Sequence, residues 1–244
     1  MTPPSFTYDN RTGRGPGRAV RTMSAVLPGV ARVWSQVEPC AEAWQAHNLA
    51  TLDQPGRRWI VLGDSMAQGV GASAYDAGWV GQLAQRLATS GHVLRVINLS
   101  ATGAGVPDVL DQQLPALDLI GVRDDDLVTV LVGSNDLFGR RTKRDRLPGA
   151  FGELVDRVPV GSVIATLPQP SKVAARANRH IERAAAAGRI VMVDLRVTGP
   201  SSWRGRLASD YFHPNDAGYA AIATAFEPTL RQLLTSRSGA SEAP

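Results

Sequence analysis

Apolar residues along this chain fall into five short runs, and most runs are followed by a segment with helical spacing. The runs cover residues 59–62, 93–99, 127–132, 160–167 and 190–195. Residues 127–132 are almost entirely apolar, which is typical of a parallel strand buried on both faces. Helices are predicted over residues 30–49, 79–87, 106–119 and 172–187, with a last helix from Pro214 to about residue 234. The alternation predicts an α/β fold, in which one five-stranded parallel sheet is covered by helices on both faces.

The two ends of the chain lack this periodicity. Residues 1–25 are rich in Gly, Pro, Arg and Thr, so we expect them to be disordered, with Met23 as an alternative start. Residues 26–54 are expected to form a helix that packs on the main body. We assign residues 55–236 to the main domain and residues 237–244 to a flexible polar tail.

Composition and charge limit the classes of partner. The chain has 43% hydrophobic and 20% charged residues, as ordinary globular proteins do. Its formal net charge is +4, and nearly all of the positive charge is arginine. The basic segment, residues 140–146, has no interleaved aromatic side chains to stack on bases, so we expect no nucleic-acid partner. We interpret it as solvated surface; a cover over a pocket or a contact for an anionic substrate is the alternative.

Location and redox state follow from two further features. No stretch approaches the roughly 20 apolar residues that a membrane-spanning helix needs, so we expect no transmembrane segment. The single cysteine, Cys40, cannot form an intramolecular disulfide, which permits a reducing compartment. We therefore predict a cytoplasmic location, while the oligomeric state stays open.

Four short segments fall where a site of this fold is expected. Three follow predicted strands directly, and the fourth lies in the loop before the last helix. They are Gly63-Asp64-Ser65-Met66, Asn98-Leu99-Ser100-Ala101-Thr102-Gly103, Gly133-Ser134-Asn135-Asp136 and Asp210-Tyr211-Phe212-His213. Parallel strands share one carboxyl-end edge, and ligands bind beyond that edge. We therefore expect the four segments to lie together.

The residue types in these segments suit acyl transfer. Ser65 is the candidate nucleophile, His213 the general base that takes its proton, and Asp210 the carboxylate that orients the imidazole. The backbone N–H groups of Ser65 and Gly103 and the side-chain amide of Asn135 are candidates for an oxyanion hole.

Together the segments resemble the sequence blocks of the SGNH hydrolases, the GDSL-type serine esterases and lipases. Residues 63–66 are similar to the GDSL block with methionine in place of leucine, and Gly103 matches the glycine of the second block. Residues 133–136 resemble the GxND block and residues 210–213 the DxxH block. The resemblance covers about residues 59–234. It implies a three-layer α/β/α flavodoxin-like fold, hydrolysis of a small-molecule carboxylic ester through an acyl-enzyme, and neither a metal nor an organic cofactor.

Other interpretations of the same residues are open at this point. Ser65 with Gln68 also fits a helix capping box. An α/β-hydrolase places Ser, Asp and His in the same chain order, but residues 63–67 lack the second glycine of its GxSxG elbow. The fold could also serve a non-catalytic module that binds an acyl or glycan ligand, or an acyltransferase with the same site residues. Core packing is the alternative for four aromatic residues that we interpret as pocket walls, Trp79, Phe138, Trp203 and Tyr211.

Overall fold

The five apolar runs form one parallel sheet in the computed structural model, which describes residues 6–240. The strands are β1 (Arg58–Gly63), β2 (Arg95–Asn98), β3 (Leu127–Leu131), β4 (Val163–Ala165) and β5 (Val191–Val193). Their order is β2-β1-β3-β4-β5, and every pair is parallel. The prediction of a five-stranded parallel sheet is confirmed.

Helices connect the strands and cover the sheet. They are α1 (Arg18–Val26), α2 (Pro28–Trp34), α3 (Val37–Thr51), α4 (Ser65–Gln68), α5 (Trp79–Thr89), α6 (Val106–Asp108), α7 (Leu114–Ile120), α8 (Ser134–Leu137), α9 (Arg141–Arg157), α10 (Lys172–Ala186), α11 (Leu195–Thr198) and α12 (Asp216–Ala240). Within the described range 6–240, no helix is long and apolar enough to cross a bilayer.

Successive residues of the strands face opposite sides of the sheet and fill two apolar cores. Ile60 and Leu62 of β1 pack into the core under α9 and α10. Trp59 and Val61 pack into the core under α5 and α12. The result is the predicted α/β/α arrangement of three layers, and burial on both faces explains why the strand runs are continuously apolar.

Two predicted helices are interrupted. Residues 30–49 form two helices, since α2 ends at Trp34 and α3 begins at Val37. Pro39 lies in the first turn of α3, where its missing N–H is tolerated, but a helix continuing from α2 would need that donor. The helix predicted over residues 106–119 contains a π-helical turn, Val109–Gln113, between α6 and α7.

Helix α9 was not predicted. It buries Leu147, Phe151 and Leu154 at helical spacing, but its first turns carry the basic segment. Pro148 lies inside it, and proline is the least favourable residue in a helix interior. Charge and proline together hid the apolar pattern.

The N-terminal residues are folded, so the prediction of disorder is wrong for residues 6–25; residues 1–5 lie outside the described range. Residues 6–16, which we call the N-terminal strap, pack on the end of β2, and helix α1 follows. Asn10 is only 1% exposed, and its side-chain amide donates to the carbonyl oxygens of Asn98 at 2.6 Å and Ser100 at 3.0 Å. At the other end, α12 continues to Ala240, past the predicted domain end at residue 236, and residues 241–244 lie outside the described range.

Candidate active site

Ser65 lies at the carboxyl end of β1, where the strand turns into α4. Asp64 is the N-cap of this helix, and its carboxylate accepts a hydrogen bond from the Met66 N–H at 3.0 Å. The Ser65 hydroxyl is therefore not used as a cap. The capping-box interpretation is wrong, because the Gln68 side chain instead accepts the Thr102 N–H at 2.9 Å and so fastens the second loop of the site.

Ser65, His213 and Asp210 form a continuous chain of hydrogen bonds. His213 Nε2 lies 2.9 Å from Ser65 Oγ, and His213 Nδ1 lies 2.6 Å from Asp210 Oδ2. Asp210 Oδ1 accepts the backbone N–H groups of Phe212 and His213, each at 3.0 Å. Burial alone would raise the pKa of Asp210, but the His213 ring and these N–H donors hold it below its ordinary value. The structure thus brings the three residues together, although Ser65 and His213 are 148 positions apart in the sequence.

His213 packs closely against the loop that follows α4. Gly71 has φ +98°, and a Cβ atom there would lie 2.8 Å from His213 Cβ and 2.5 Å from the Pro214 carbonyl oxygen. Glycine is required, since any side chain would displace the imidazole. Gly71 was not among the predicted site residues. Its signal is the Gly-Val-Gly sequence at residues 69–71, directly after the helix of Ser65.

The three predicted oxyanion donors lie at this same edge of the sheet. Gly103 has φ +79° on an exposed turn, and no hydrogen bond within the described residues takes up its N–H or that of Ser65. The Asn135 side chain donates one N–H to the Ala104 carbonyl oxygen at 3.0 Å. A carboxamide has two N–H donors, so the second is free to bind another acceptor. Asn135 and the Gly103 turn are therefore adjacent.

The turn that carries Gly103 is held by Arg14 and Asp108, which were not predicted to lie at the site, and by Asp136 of the third sequence block. Arg14 of the N-terminal strap binds both carboxylate oxygens of Asp108, at 2.6 and 2.7 Å. Its Nη2 also lies 3.3 Å from the Gly103 carbonyl oxygen. Asp136 Oδ2 accepts the Val106 N–H at 2.8 Å from the other side. No local pattern points to Arg14, which lies 89 positions from Gly103 in the chain.

Two buried carboxyl groups beside the triad differ from Asp210. Burial raises the pKa of Asp64 to about 7, more than its hydrogen bond from Met66 N–H and the nearby His213 lower it. Burial also raises the pKa of Asp136. Asp64 and Asp136 therefore hold a proton more readily than Asp210, whose negative charge is the one in contact with the imidazole.

An apolar pocket of about 390 Å³ opens beside Met66, Phe212 and Pro214, the chain neighbours of Ser65 and His213. Trp79 does not line it, since this residue is fully buried and stacks on Phe226 with ring centroids 4.5 Å apart. The interpretation as a pocket wall is wrong for Trp79. The other three aromatic residues proposed as walls line the pocket: Phe138, Trp203 and Tyr211.

Comparison with known proteins gives a family and a set of related folds. Residues 61–221 match the GDSL-like Lipase/Acylhydrolase family. No curated protein matches the sequence. A Clostridium thermocellum family 3 carbohydrate esterase is 19% identical, with 73% of this chain and 98% of that chain covered and a TM-score of 0.57. The structure named TesA is 24% identical, with 73% and 100% covered and a TM-score of 0.57. A lipase/acylhydrolase from Enterococcus faecalis is 21% identical, with 72% and 96% covered and a TM-score of 0.55.

These structures share the fold of this chain, and the family match adds the chemistry. The match begins inside β1 and ends inside α12, so it takes in all four sequence blocks. The N-terminal strap and helices α1 to α3 lie outside it. The chain therefore belongs to the GDSL-like lipase/acylhydrolase family and is an SGNH-type serine hydrolase that acts on carboxylic ester bonds.

Proposed function

We propose that Ser65 is the nucleophile of an esterase reaction, His213 its general base and Asp210 the carboxylate that orients the base. The observation that carries this proposal is the pair of hydrogen bonds from Ser65 Oγ to His213 Nε2 and from His213 Nδ1 to Asp210 Oδ2. A serine hydroxyl is a weak nucleophile unless an adjacent base accepts its proton as it attacks. A base in turn needs a fixed orientation, which Asp210 supplies.

The acylation step follows from these positions. Ser65 Oγ attacks the carbonyl carbon of the ester, and its proton passes to His213 Nε2. The electron pair of the C=O bond moves to the carbonyl oxygen, which becomes an oxyanion. We propose that the N–H groups of Ser65 and Gly103 and the Asn135 amide bind this oxygen; one such donor is typically worth about 10²–10³ in rate. The C–O bond then breaks, and the departing alkoxide takes the proton from His213.

Deacylation repeats the same chemistry with water. His213 Nε2 takes a proton from water as its oxygen attacks the acyl-Ser65 carbonyl. Collapse of the second tetrahedral intermediate breaks the bond to Ser65 Oγ, which recovers its proton from His213. Throughout, Asp210 stays ionised beside the ring and stabilises the imidazolium. Its lowered pKa supports this role.

The apolar pocket supports the proposal that the substrate is an ester with an apolar group on one side of the scissile bond. Buried aliphatic side chains form its floor, and Phe212, whose ring lies 5.0 Å from the His213 ring, leads from it to the triad. Burying each CH₂ group of a substrate there contributes about 0.8 kcal/mol. We also propose a cytoplasmic location, which the single, buried and unpaired Cys40 supports.

The test is turnover of a short soluble ester by purified Ser65→Ala and His213→Ala variants. We expect each to lose at least about 10⁴-fold in kcat with unchanged circular dichroism, because both groups act as one unit. Ser134→Ala is the matched control, since Ser134 is another buried serine and lines the apolar pocket beside the triad, and it should keep most of the turnover. Wild-type turnover by Ser65→Ala would refute the proposed mechanism.

A further inference from the structure

The exposed aromatic side chains of this protein are gathered at one place. Among the residues that the structure describes, four aromatic side chains are exposed to solvent: Phe138 (63%), Trp203 (37%), Tyr211 (85%) and Phe212 (49%). All four line the apolar pocket beside the triad. We call them the aromatic patch. Single exposed apolar side chains need no explanation, but a contiguous group around a pocket mouth marks an interaction surface.

Tyr211 is the most exposed member of the aromatic patch, and its backbone is unfavourable. It has φ +57°, a left-handed conformation that glycine and asparagine adopt at lower cost. Backbone geometry therefore does not explain a tyrosine here. A ring held out into solvent at a strained position is better explained by something that the ring contacts.

The basic segment lies next to the aromatic patch. All seven residues from 140 to 146 are exposed, five of them are Arg or Lys, and Asp145 is the one acidic residue. Phe138 of the aromatic patch lines a groove together with Arg141 and Arg144, so the two surfaces are continuous. Arg141 forms only a highly exposed ion pair with Asp145 at 3.6 Å, which contributes little to stability. Within the described residues, the Arg144 side chain has no hydrogen bond or ion pair, so these two arginines are available to an anionic partner.

We propose that the aromatic patch and the basic segment form one docking surface for an anionic lipid bilayer, with the mouth of the site against the membrane. Aromatic rings with a polar edge favour the headgroup level of a bilayer, and arginine and lysine are drawn to anionic lipids. The apolar pocket beneath the rings gives an acyl chain a place to enter from the bilayer. Docking to the bilayer does not depend on the esterase reaction. The further conclusion, that the substrate is an ester of a membrane lipid, rests on the proposed function.

Charge and shape favour lipid over single-stranded nucleic acid at this surface. Nucleic acid is bound where aromatic rings follow a basic groove and bases stack on each ring in turn. Here the rings surround an apolar pocket instead, and the basic segment flanks it on one side. An apolar centre with a basic flank matches the cross-section of an anionic lipid layer.

Docking is tested by co-sedimentation of the full chain carrying Ser65→Ala, so that binding is measured without hydrolysis. The vesicles are phosphatidylcholine alone or phosphatidylcholine with about one third phosphatidylglycerol. We expect binding to the anionic vesicles, much less to the neutral ones, and weakening as salt is added.

Two pairs of substitutions locate the charge effect. Arg141→Gln with Arg144→Gln should weaken binding to anionic vesicles about 25-fold, at about fivefold for each arginine. Arg123→Gln with Arg183→Gln is the matched control: it removes the same charge from exposed residues before β3 and at the end of α10, on the opposite edge of the sheet. This pair should bind as the parent does.

A single substitution tests the aromatic patch. Tyr211→Asn removes the exposed ring while suiting the left-handed backbone, and should weaken binding several-fold.

Several results would overturn the proposal. They are no binding to anionic vesicles, equal binding to neutral ones, or equal weakening by the Arg123 and Arg183 pair. Tighter binding to a single-stranded oligonucleotide would assign the surface to nucleic acid. A lipid-free dimer that Tyr211→Asn dissociates would assign it to a second copy of the chain. With Ser65 restored, the Arg141 and Arg144 pair should hydrolyse a short soluble ester at the wild-type rate, so a failed docking test is distinguishable from a failed mechanism.

Discussion

The two sides of the candidate site are held by different parts of the chain and by different forces. Ser65 and His213 rest on the sheet and α12, which two apolar cores hold in place. The turn that carries Gly103 rests partly on the N-terminal strap, which lies outside the family match and is tied by polar contacts. The nucleophile side is thus held mainly by apolar packing, with polar contacts from Gln36 and Trp44 to the segment after Ser65. The Gly103 turn instead depends on the ionic contact of Arg14 in the strap.

The two kinds of support respond differently to substitution. Apolar burial is collective, so the loss of a methyl group from one core residue costs about 0.5–1.5 kcal/mol. A buried polar contact is directional, and its loss leaves specific partner groups without a hydrogen bond. Tyr8 donates its hydroxyl to the Leu99 carbonyl oxygen at 2.7 Å, and the Asn10 side-chain amide donates to the Asn98 carbonyl oxygen at 2.6 Å. Single changes in the strap should therefore have sharp effects.

The largest effect is expected on the nucleophile side. Asp210→Asn should lower kcat by about 10³–10⁴-fold, because the imidazole loses the carboxylate that fixes its tautomer and stabilises its charge. The thermal midpoint should change little, since Asn can still accept the Phe212 and His213 N–H groups. Steady-state kinetics and calorimetry measure both. Unchanged kcat would show that Asp210 does not orient the base.

On the strap side, Asn10→Ala should cost about 3 kcal/mol in the free energy of unfolding. It removes the donor to the Asn98 and Ser100 carbonyl oxygens and the acceptor for Asn48, all buried. Thr7→Ala, an exposed strap position, is the control and should stay within about 0.5 kcal/mol. Urea unfolding gives both values. If the two variants were equally stable, the strap would not be tied to the body as described.

A smaller effect is expected for Arg14→Ala, which frees the turn that carries Gly103. We expect kcat to fall by up to about tenfold with KM nearly constant, since a displaced oxyanion donor acts mainly in the transition state. Arg11→Ala is the matched control, because Arg11 pairs with Glu38 on the surface and does not contact that turn. An equal loss of kcat in Arg11→Ala would refute a positioning role for Arg14.

The last effect is on stability alone and is seen only as a change with pH; it concerns Asp64, at the start of α4. Its pKa is raised to about 7 in the folded chain, so it favours folding at low pH, and that contribution is lost as pH rises from about 4 to about 7. Asp64→Asn carries no charge and escapes the loss. We therefore expect the difference in Tm between Asp64→Asn and the wild type to be several degrees larger at pH 8 than at pH 5, in favour of the variant.

The same comparison at the exposed Asp124 controls for any general effect of removing a carboxylate. Asp124→Asn should show no such change between the two pH values. Asp210, whose pKa is lowered, titrates below this window and is present in every variant. A constant difference in Tm for Asp64→Asn would show that Asp64 is ionised in both states.

Sequence reasoning could predict the sheet and the edge at which the site lies. The strands are visible in the sequence as apolar runs because both of their faces are buried. Parallel strands all have their carboxyl ends at the same edge of the sheet, and that edge is where the site lies. That rule placed Ser65, Asn135 and Gly103 on the same edge before any contact was known. Trp79 shows its limit, since a buried ring of the core and a ring of a pocket wall look alike in a sequence.

The strap could not be predicted, and the reason is physical. Asn10 is held by polar groups 88 and 90 positions away, and such contacts leave no periodic pattern in the chain. Arg14 is likewise one of many arginines until its partner Asp108 is placed. Gly71 was visible as part of a glycine pair, but only the packed His213 shows why a side chain is excluded there.

The central claim is that Ser65 is activated by His213, and reaction with a fluorophosphonate probe tests it most directly. Such probes bond to serine hydroxyls that an adjacent base activates. Intact mass and peptide mapping should find one adduct, on Ser65, which Ser65→Ala lacks and Ser134→Ala retains. No adduct on the folded wild-type chain, or an adduct that persists in Ser65→Ala, would contradict the account.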